Sequence, residues 1–359
     1  MSAVSKVIRP EIQAMHAYAV SDATGLVKLD VMESPYRLPE ALAAEVGQLV
    51  SRVAMNRYPV PTANELRALI REVMQVPKGC DVLLGNGSDE CIQYITAAVA
   101  REGAVVMAPA PSFAMFSMHA FFYRLRFVGM PLRADFSLDT DAFLAAMAKE
   151  QPALVWIAFP NNPTGNAFPV ADIERIVQAA PGLVVIDEAY QPFAGATFMP
   201  RLAEFENMVV MRTVSKIGMA GLRLGYVCGR PEWIESFNKT RSPFNINVLT
   251  EAVAIKLLQN KKVLDAQAAK VLEERERLRP ELERLAGLKV YPSAANFLLA
   301  RVAGGKGAGT RVFESMKAQG VLVKDFSGGY PLMENCLRLT IGTPEENRIL
   351  LAALREALK

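Results

Sequence analysis

A chain of 359 residues, 51% of them apolar, passes the ~250 to 300 residues at which a single core stops growing, so two units, or one with a substantial annex, are expected. Its 40 basic and 37 acidic residues leave a formal charge of +3 scattered along the chain, which excludes the cationic stripe of a nucleic-acid or anionic-membrane binder and points to a small ligand. The only histidines are His16 and His119, neither in a nucleophile motif, so a multi-histidine metal site is excluded and no Ser-His-Asp triad is indicated.

The first residues, "MSAVSKVIRPEIQAM", lack the apolar block of a signal peptide, and no apolar run approaches the ~18 residues that span a bilayer. Cys80, Cys91, Cys228 and Cys336 lie far apart without metal or redox spacing. A reduced, cytoplasmic protein is expected.

From residue 81 onward, short β-rich runs alternate with helical patterns: "DVLLG" and "SDECIQYITAAVA", "AVVMAP" and "SFAMFSMHAFF", "ALVWIAFP" and "VADIERIVQAA", then "LVVIDEAY" and "MVVMRTVSK". Strands apolar at nearly every position, separated by helices, predict an α/β fold with a mostly parallel sheet covered on both faces. Ligands of such sheets bind beyond the carboxyl ends of the strands.

After Asn245 a mostly helical arm follows, expected to be interrupted at Pro280. Then come "NFLLARV", the helical "TRVFESMKAQG", "VLVKDF", "CLRLTIG" and a last helix at "TPEENRILLAAL", where Thr343 and Glu346 form a capping box around Pro344. These outline a smaller α/β unit. The expected division is a large unit at 45–250 and a small one built from 1–44 and 251–359. The stretch "AGGKGAG", 303–309, reads as a mobile loop, and no repeat is evident.

The residues that follow the strands carry the chemistry. "LLGNGSDE" turns through Gly85 and Gly87 into a helix opening at Ser88, a geometry that suits either a plain turn or an anion on exposed N–H groups, with Asp89 and Glu90 in the first turn. "FPNNPTG" reads as an Asn-Pro turn or as an amide delivered to the ligand crevice. In "LVVIDEAY", Asp187 ends an apolar strand, where an ionised carboxylate needs a cationic partner unless solvated, and Tyr190 brings a phenol near it. In "TVSKIGMAGLRLGY", Lys216 follows a strand, where desolvation would suit it to Schiff-base chemistry, and Arg223 ends a glycine-bearing segment.

A phosphate cradle, an acid, a phenol, an amide, a lysine and an arginine at neighbouring strand ends are together the requirements of pyridoxal 5′-phosphate (PLP). With "RYPVPTANELR", "GNGSDE", "APAPSFAMF", "PNNPTG", "DEAYQPF", "TVSKIGMAGLRLGY", "RSPFNIN", "SAANFLLAR" and "CLRLTIGTPEEN" in order, the chain resembles the fold-type I, aspartate-aminotransferase-like PLP enzymes, and among them the histidinol-phosphate aminotransferases.

The resemblance implies a role for each matching residue. Lys216 would bond to the cofactor aldehyde and, once displaced by substrate, shuttle a proton between substrate and cofactor carbons. Asp187 would pair with the pyridinium nitrogen, and Asn162 and Tyr190 would hold the ring oxygen. Phe113 would stack on the ring. The Ser88 and Asp89 N–H groups, the hydroxyls of Thr213 and Ser215, and Arg223 would take the phosphate. Tyr58, in "NRYP", would reach the phosphate in the neighbouring subunit of a homodimer. Arg338 would grip the anionic end of either substrate, the carboxylate of glutamate or the phosphate of histidinol phosphate.

Three positions depart from the family pattern. Lys324 stands where an arginine is frequent, Phe244 where a tyrosine is, and "LDVMESPYRLP" replaces an asparagine-rich segment. The expected reaction is transamination between L-histidinol phosphate and 2-oxoglutarate, giving imidazole-acetol phosphate and L-glutamate. The alternatives are an aromatic amino acid aminotransferase, a threonine-phosphate decarboxylase, or a non-catalytic ligand-binding module of the same fold. The amino-donor spectrum separates the first two, and the joint presence of Lys216, Asp187 and Tyr190 argues against the last. A nicotinamide-binding dehydrogenase is disfavoured because no G-x-G-x-x-G follows a strand.

Overall fold

The computed structural model describes residues 3–17 and 21–359. Residues 1–2 and 18–20, part of the segment expected to join the small unit, lie outside the described residues. After a short strand, β1 (Val27–Lys28), and the helices Glu40–Val50 and Asn64–Val73, the chain enters its main sheet. The strands are β2 (Asp81–Asn86), β3 (Val105–Ala110), β4 (Arg126–Pro131), β5 (Leu154–Ala158), β6 (Leu183–Asp187), β7 (Met208–Thr213) and β8 (Leu224–Gly229). They lie in the order β2-β8-β7-β6-β5-β3-β4, and β8 alone runs antiparallel to its neighbours.

The apolar runs read as strands bury both of their faces. In β5 and β6, Val155, Ile157, Val184 and Ile186 join one core, while Leu154, Trp156, Leu183 and Val185 join the other. A strand buried on both sides needs apolar residues at every position rather than at alternate ones, which is why these runs carry no period-2 pattern. Trp156 is fully buried and stacks on Phe116, with ring centroids 4.7 Å apart.

Two strands of this sheet are missing from the sequence reading. The edge strand β4 has half-buried and exposed residues and lacks an unbroken apolar run. β8 begins inside "TVSKIGMAGLRLGY", where the glycines suggested a turn, yet its Gly225 and Gly229 sit where a side chain would collide with the neighbouring turn and strand.

The second sheet contains β9 (Leu288–Val290), β10 (Phe297–Val302), β12 (Lys324–Asp325) and β13 (Cys336–Thr340), in the antiparallel order β12-β13-β10-β9. Between β10 and β12, β11 (Val321–Leu322) pairs in parallel with β1 and so ties the N-terminal segment to this unit. Leu298, Ala300, Leu337 and Leu339 form its core with Leu350 and Leu354 of the last helix, Pro344–Ala357. The expected Thr343–Glu346 capping box is present, with Glu346 N donating to Thr343 Oγ1 at 3.2 Å and Thr343 N to Glu346 Oε2 at 2.7 Å.

Two local expectations fail. The helical arm breaks at Asn260, between Val248–Gln259 and Lys261–Glu283, and Pro280 lies inside the second helix. Pro280 is exposed, so the carbonyl it leaves without a helical partner can be hydrated. The segment 303–309 is not a free loop. Asn335 Nδ2 donates to Gly305 O at 3.0 Å, Asn335 Oδ1 accepts from Gly309 N at 3.0 Å, and the helix Ala308–Ala318 already begins within it.

Candidate active site

The carboxyl ends of β2, β3, β5, β6 and β7 share one edge of the main sheet, and a cavity of about 350 Å³ opens there. Ser88 and Asp89 enter it from the turn after β2, Phe113 from the turn after β3, and Asn162 from the turn after β5. Asp187 and Tyr190 come from the end of β6 and the turn beyond, Thr213, Ser215 and Lys216 from the end of β7, and Arg223 from just before β8.

One end of the cavity is built for an anion. The helix Gly87–Val99 starts at the cavity, with Ser88 and Asp89 of its first turn in the lining, and Gly87 takes φ of 77°, which favours glycine. A Cβ at Gly225 would lie 2.5 Å from the Ser88 nitrogen, and one at Gly87 would lie 2.5 Å from Arg223 Nη2. At Gly225 the obstacle is backbone, which cannot move aside, whereas at Gly87 it is the positive φ, more than the flexible end of Arg223, that requires glycine. Arg223, itself left-handed at φ 51°, donates to Asp89 Oδ2 at 3.0 Å. Thr213 Oγ1 and Ser215 Oγ stand 2.8 Å apart beside it.

The floor is acidic. Asp187 is 5% exposed, and its Oδ1 accepts the Ala189 N–H at 3.0 Å. Burial pushes its proton affinity up to about 7, against the Ala189 hydrogen bond; the charges of Asp89 and Glu188 add to the rise and Lys216 opposes it. Lys216 moves the other way. Its Nζ donates to the Val31 carbonyl at 3.1 Å and lies 5.8 Å from the centre of the Tyr190 ring. Burial first, then Arg338, brings the amine down to about 8, with Glu33 and Asp89 opposing and Arg223 adding. Tyr190 is buried, edge-on to Phe297 at 5.3 Å, and Phe113 is edge-on to Phe116 at 5.7 Å.

Three expected site residues stand outside the cavity wall. Arg338, 6% exposed, lies behind Asn162: its Nη1 donates to Asn162 Oδ1 and its Nη2 to the Asp30 carbonyl at 2.8 Å. Lys324 faces Arg338 across the β12–β13 register. Tyr58, 81% exposed, stacks on Phe244 at 4.7 Å, away from the cavity of its own chain.

The sequence reading missed two groups. Val31, Met32 and Glu33 line the cavity; the sequence singles out "LDVMESPYRLP" only for its departure from the family pattern, and none of the three was expected as a site residue. Behind the floor, Arg212 Nε and Nη2 donate to Glu188 Oε2 at 2.9 and 2.8 Å in a buried ion pair, and Glu188 also accepts from Thr197 Oγ1 at 2.8 Å. An acid beside Asp187 and an arginine before "TVSK" were the available signals. Among the described residues no group of His, Cys, Asp and Glu could hold a metal ion, and no helix is long and apolar enough to cross a membrane.

The donor set fits PLP: a carboxylate at the floor, a half-buried amine, and an anion cradle in which a Cβ at Gly225 would press on the Ser88 and Gly87 backbone. A family model described as "Aminotransferase class I and II" matches residues 24–354. The chain is 54% identical to histidinol-phosphate aminotransferase 2 of Cupriavidus pinatubonensis, over 100% of this chain and 98% of that protein. It is 53% identical to histidinol-phosphate aminotransferase 1 of Ralstonia nicotianae, over 99% and 96%. The crystal structure of histidinol-phosphate aminotransferase from Sinorhizobium meliloti in complex with pyridoxal-5′-phosphate superposes with a TM-score of 0.87 at 25% identity, covering 98% of this chain and 97% of that one.

Proposed function

The chain belongs to the class I and II aminotransferases, and on that premise we propose that it transfers the amino group of L-histidinol phosphate to 2-oxoglutarate, giving imidazole-acetol phosphate and L-glutamate in histidine biosynthesis. The names of its full-length relatives support this substrate. The observation that carries the reading is one cavity in which an amine, Lys216, is brought down to about 8 while an acid, Asp187, is brought up to about 7.

PLP bound there supplies an aldehyde that captures amines and a ring that accepts the electron pair released at the substrate carbon. Around it we assign roles to this chain's residues. Lys216 is the residue that would hold the cofactor aldehyde and, when released, would hold and move the proton at the reacting carbon, a task that needs an amine neutral near physiological pH. Asp187, costly as a lone buried anion, is the carboxylate that would pair with a protonated ring nitrogen and keep that proton in place. Asn162, whose Oδ1 is taken by Arg338, keeps its amide donors for the ring oxygen beside Tyr190. Phe113 offers a flat apolar face. The Ser88 and Asp89 N–H groups, Thr213, Ser215 and Arg223 take the phosphate.

Arg338 and Lys324 are assigned to the anionic end of the substrate. Arg338 is preoriented by Asn162 and the Asp30 carbonyl, so little side-chain entropy is lost when the anion arrives. The division into a large unit at 45–250 and a small unit of 1–44 with 251–359 belongs to the same proposal, supported by a main sheet contained in 81–229. So does a homodimer in which Tyr58 reaches the other subunit's phosphate site, supported by the exposure of Tyr58 beside Met55, Val60 and Phe244. Four free, buried cysteines support a cytoplasmic location.

The test is spectroscopic. Purified protein should carry the visible band of lysine-bound PLP, histidinol phosphate and glutamate should each bleach it, and Lys216→Ala should abolish band and turnover together. Protein that stays colourless after reconstitution, or that is bleached by phenylalanine but not by histidinol phosphate, overturns the assignment.

A further inference from the structure

We propose that Glu33 is the residue that selects the imidazole end of the substrate, an assignment that rests on the histidinol-phosphate reading above. Five charged side chains line the cavity: Glu33, Asp89, Asp187, Lys216 and Arg223. Asp89 and Arg223 pair with each other at the anion cradle, and Asp187 and Lys216 serve the cofactor. Among the described residues of the lining, Glu33 is the charge whose partner, Lys28, does not itself line the cavity.

The backbone that carries Glu33 is held on several sides. The Asp30 carbonyl accepts from Arg338 at 2.8 Å and the Val31 carbonyl from Lys216 at 3.1 Å. Met32 N donates to Thr340 Oγ1 at 3.2 Å, and its carbonyl accepts from Asn296 Nδ2 at 3.0 Å. Met32 itself sits at φ 56°, a left-handed conformation unfavourable for a residue with a Cβ and sustained only where neighbours over-determine it. That turn buries the Met32 thioether and leaves the next side chain, Glu33, in the cavity mouth with 46% exposure. Lys28 ion-pairs with Glu33 from the outer side and also lies 3.4 Å from Asp30 Oδ1. An exposed ammonium is a weakly held partner, so Lys28 steadies the carboxylate without blocking it.

The chemistry fits the ring. An imidazole donates an N–H in its neutral form and is cationic near its ordinary pKa of ~6.5, and a carboxylate accepts from both. With the phosphate assigned to Arg338 behind Asn162, the ring is the end of the substrate that remains to be held, and Glu33 is an acceptor for it in the cavity lining. Glutamate lacks the ring donor, so neutralising Glu33 should separate the two half-reactions.

The experiment compares wild type with Glu33→Gln, which keeps the shape, and Glu33→Asp, which keeps the charge. The ratio of kcat/KM for histidinol phosphate to that for glutamate should fall about tenfold or more in Glu33→Gln and recover in part in Glu33→Asp. Calorimetry on the PLP-loaded protein gives a second readout: wild type should bind imidazole-acetol phosphate more tightly than acetol phosphate, which lacks the ring, and Glu33→Gln, which loses the charge-assisted part of the hydrogen bond, should narrow the difference. Equal losses for both donors, or an undiminished preference for the ring, overturn the assignment while leaving the transaminase reading intact. A wild type inert to histidinol phosphate overturns both.

Discussion

Lys216 Nζ donates to the carbonyl oxygen of Val31 at 3.1 Å, so the amine at the end of β7 is tied to backbone from the N-terminal segment. The contact joins the main sheet to the segment that β1 anchors in the small unit. It also shows where the amine rests in a half-buried position, with Arg338 and Arg223 disfavouring its charge.

The first expected outcome concerns that amine. Capture of the cofactor aldehyde by cofactor-free protein requires neutral Lys216, so the rate should rise with pH and level off above about 8. An ordinary lysine would keep rising to ~10.4. Because the folded value is below the unfolded one, stability from this group is present above ~10.4 and is lost as pH falls through about 8. Lys216→Met should therefore raise the melting temperature of cofactor-free protein at pH 7. Stopped-flow absorbance with no inflection near 8 would contradict the assignment.

Asp187 carries the opposite sign. Its folded value, about 7, exceeds the ordinary ~3.9, so its contribution is fully present below ~3.9 and is lost as pH rises through 7. In cofactor-free protein, Asp187→Asn should raise the melting temperature more at pH 8 than at pH 5, while weakening PLP retention in dialysis. An equal change at both pH values would show that the carboxylate is not held protonated by burial.

Gly225→Ala tests the anion cradle. The new Cβ would meet the Ser88 nitrogen at 2.5 Å, and backbone on a strand and a helix start cannot swing aside as a side chain can. PLP affinity, followed by fluorescence quenching, should fall at least ~10-fold, the equivalent of one lost charged hydrogen bond. Unchanged affinity would mean that the turn is not the phosphate site.

Arg212→Met tests the support behind the floor. Glu188 would be left as a buried charge with only its Thr197 and Phe198 donors, a loss of about 3 to 5 kcal/mol in urea unfolding. Adding Glu188→Gln should restore part of it. A double variant no more stable than the single one would show that the charge itself is not the problem.

Much of the site was legible because its determinants are local. An apolar run followed by Asp187, Asn162 or Lys216 states both that a strand is buried and which side chain stands at its end. β4 was not legible, since an edge strand half exposed to solvent needs no continuous apolar pattern. β8 was hidden because Gly225 and Gly229 are there for close approach to another segment, a reason visible only once that segment is in position.

The sequence by itself determined five of the seven strands of the main sheet, the reactive residues that follow them, and the cofactor that this chemistry suits, because hydrophobic period and turn composition act over a few residues. The tertiary structure alone decided that residues 31–33 roof the cavity, that Arg338 stands behind Asn162, and that Tyr58 faces outward. Those placements depend on pairings such as β1 with β11 and Arg338 with the Asp30 carbonyl, between residues some three hundred positions apart. Contacts at that distance are selected by the fit of whole packed surfaces, for which no local pattern is required.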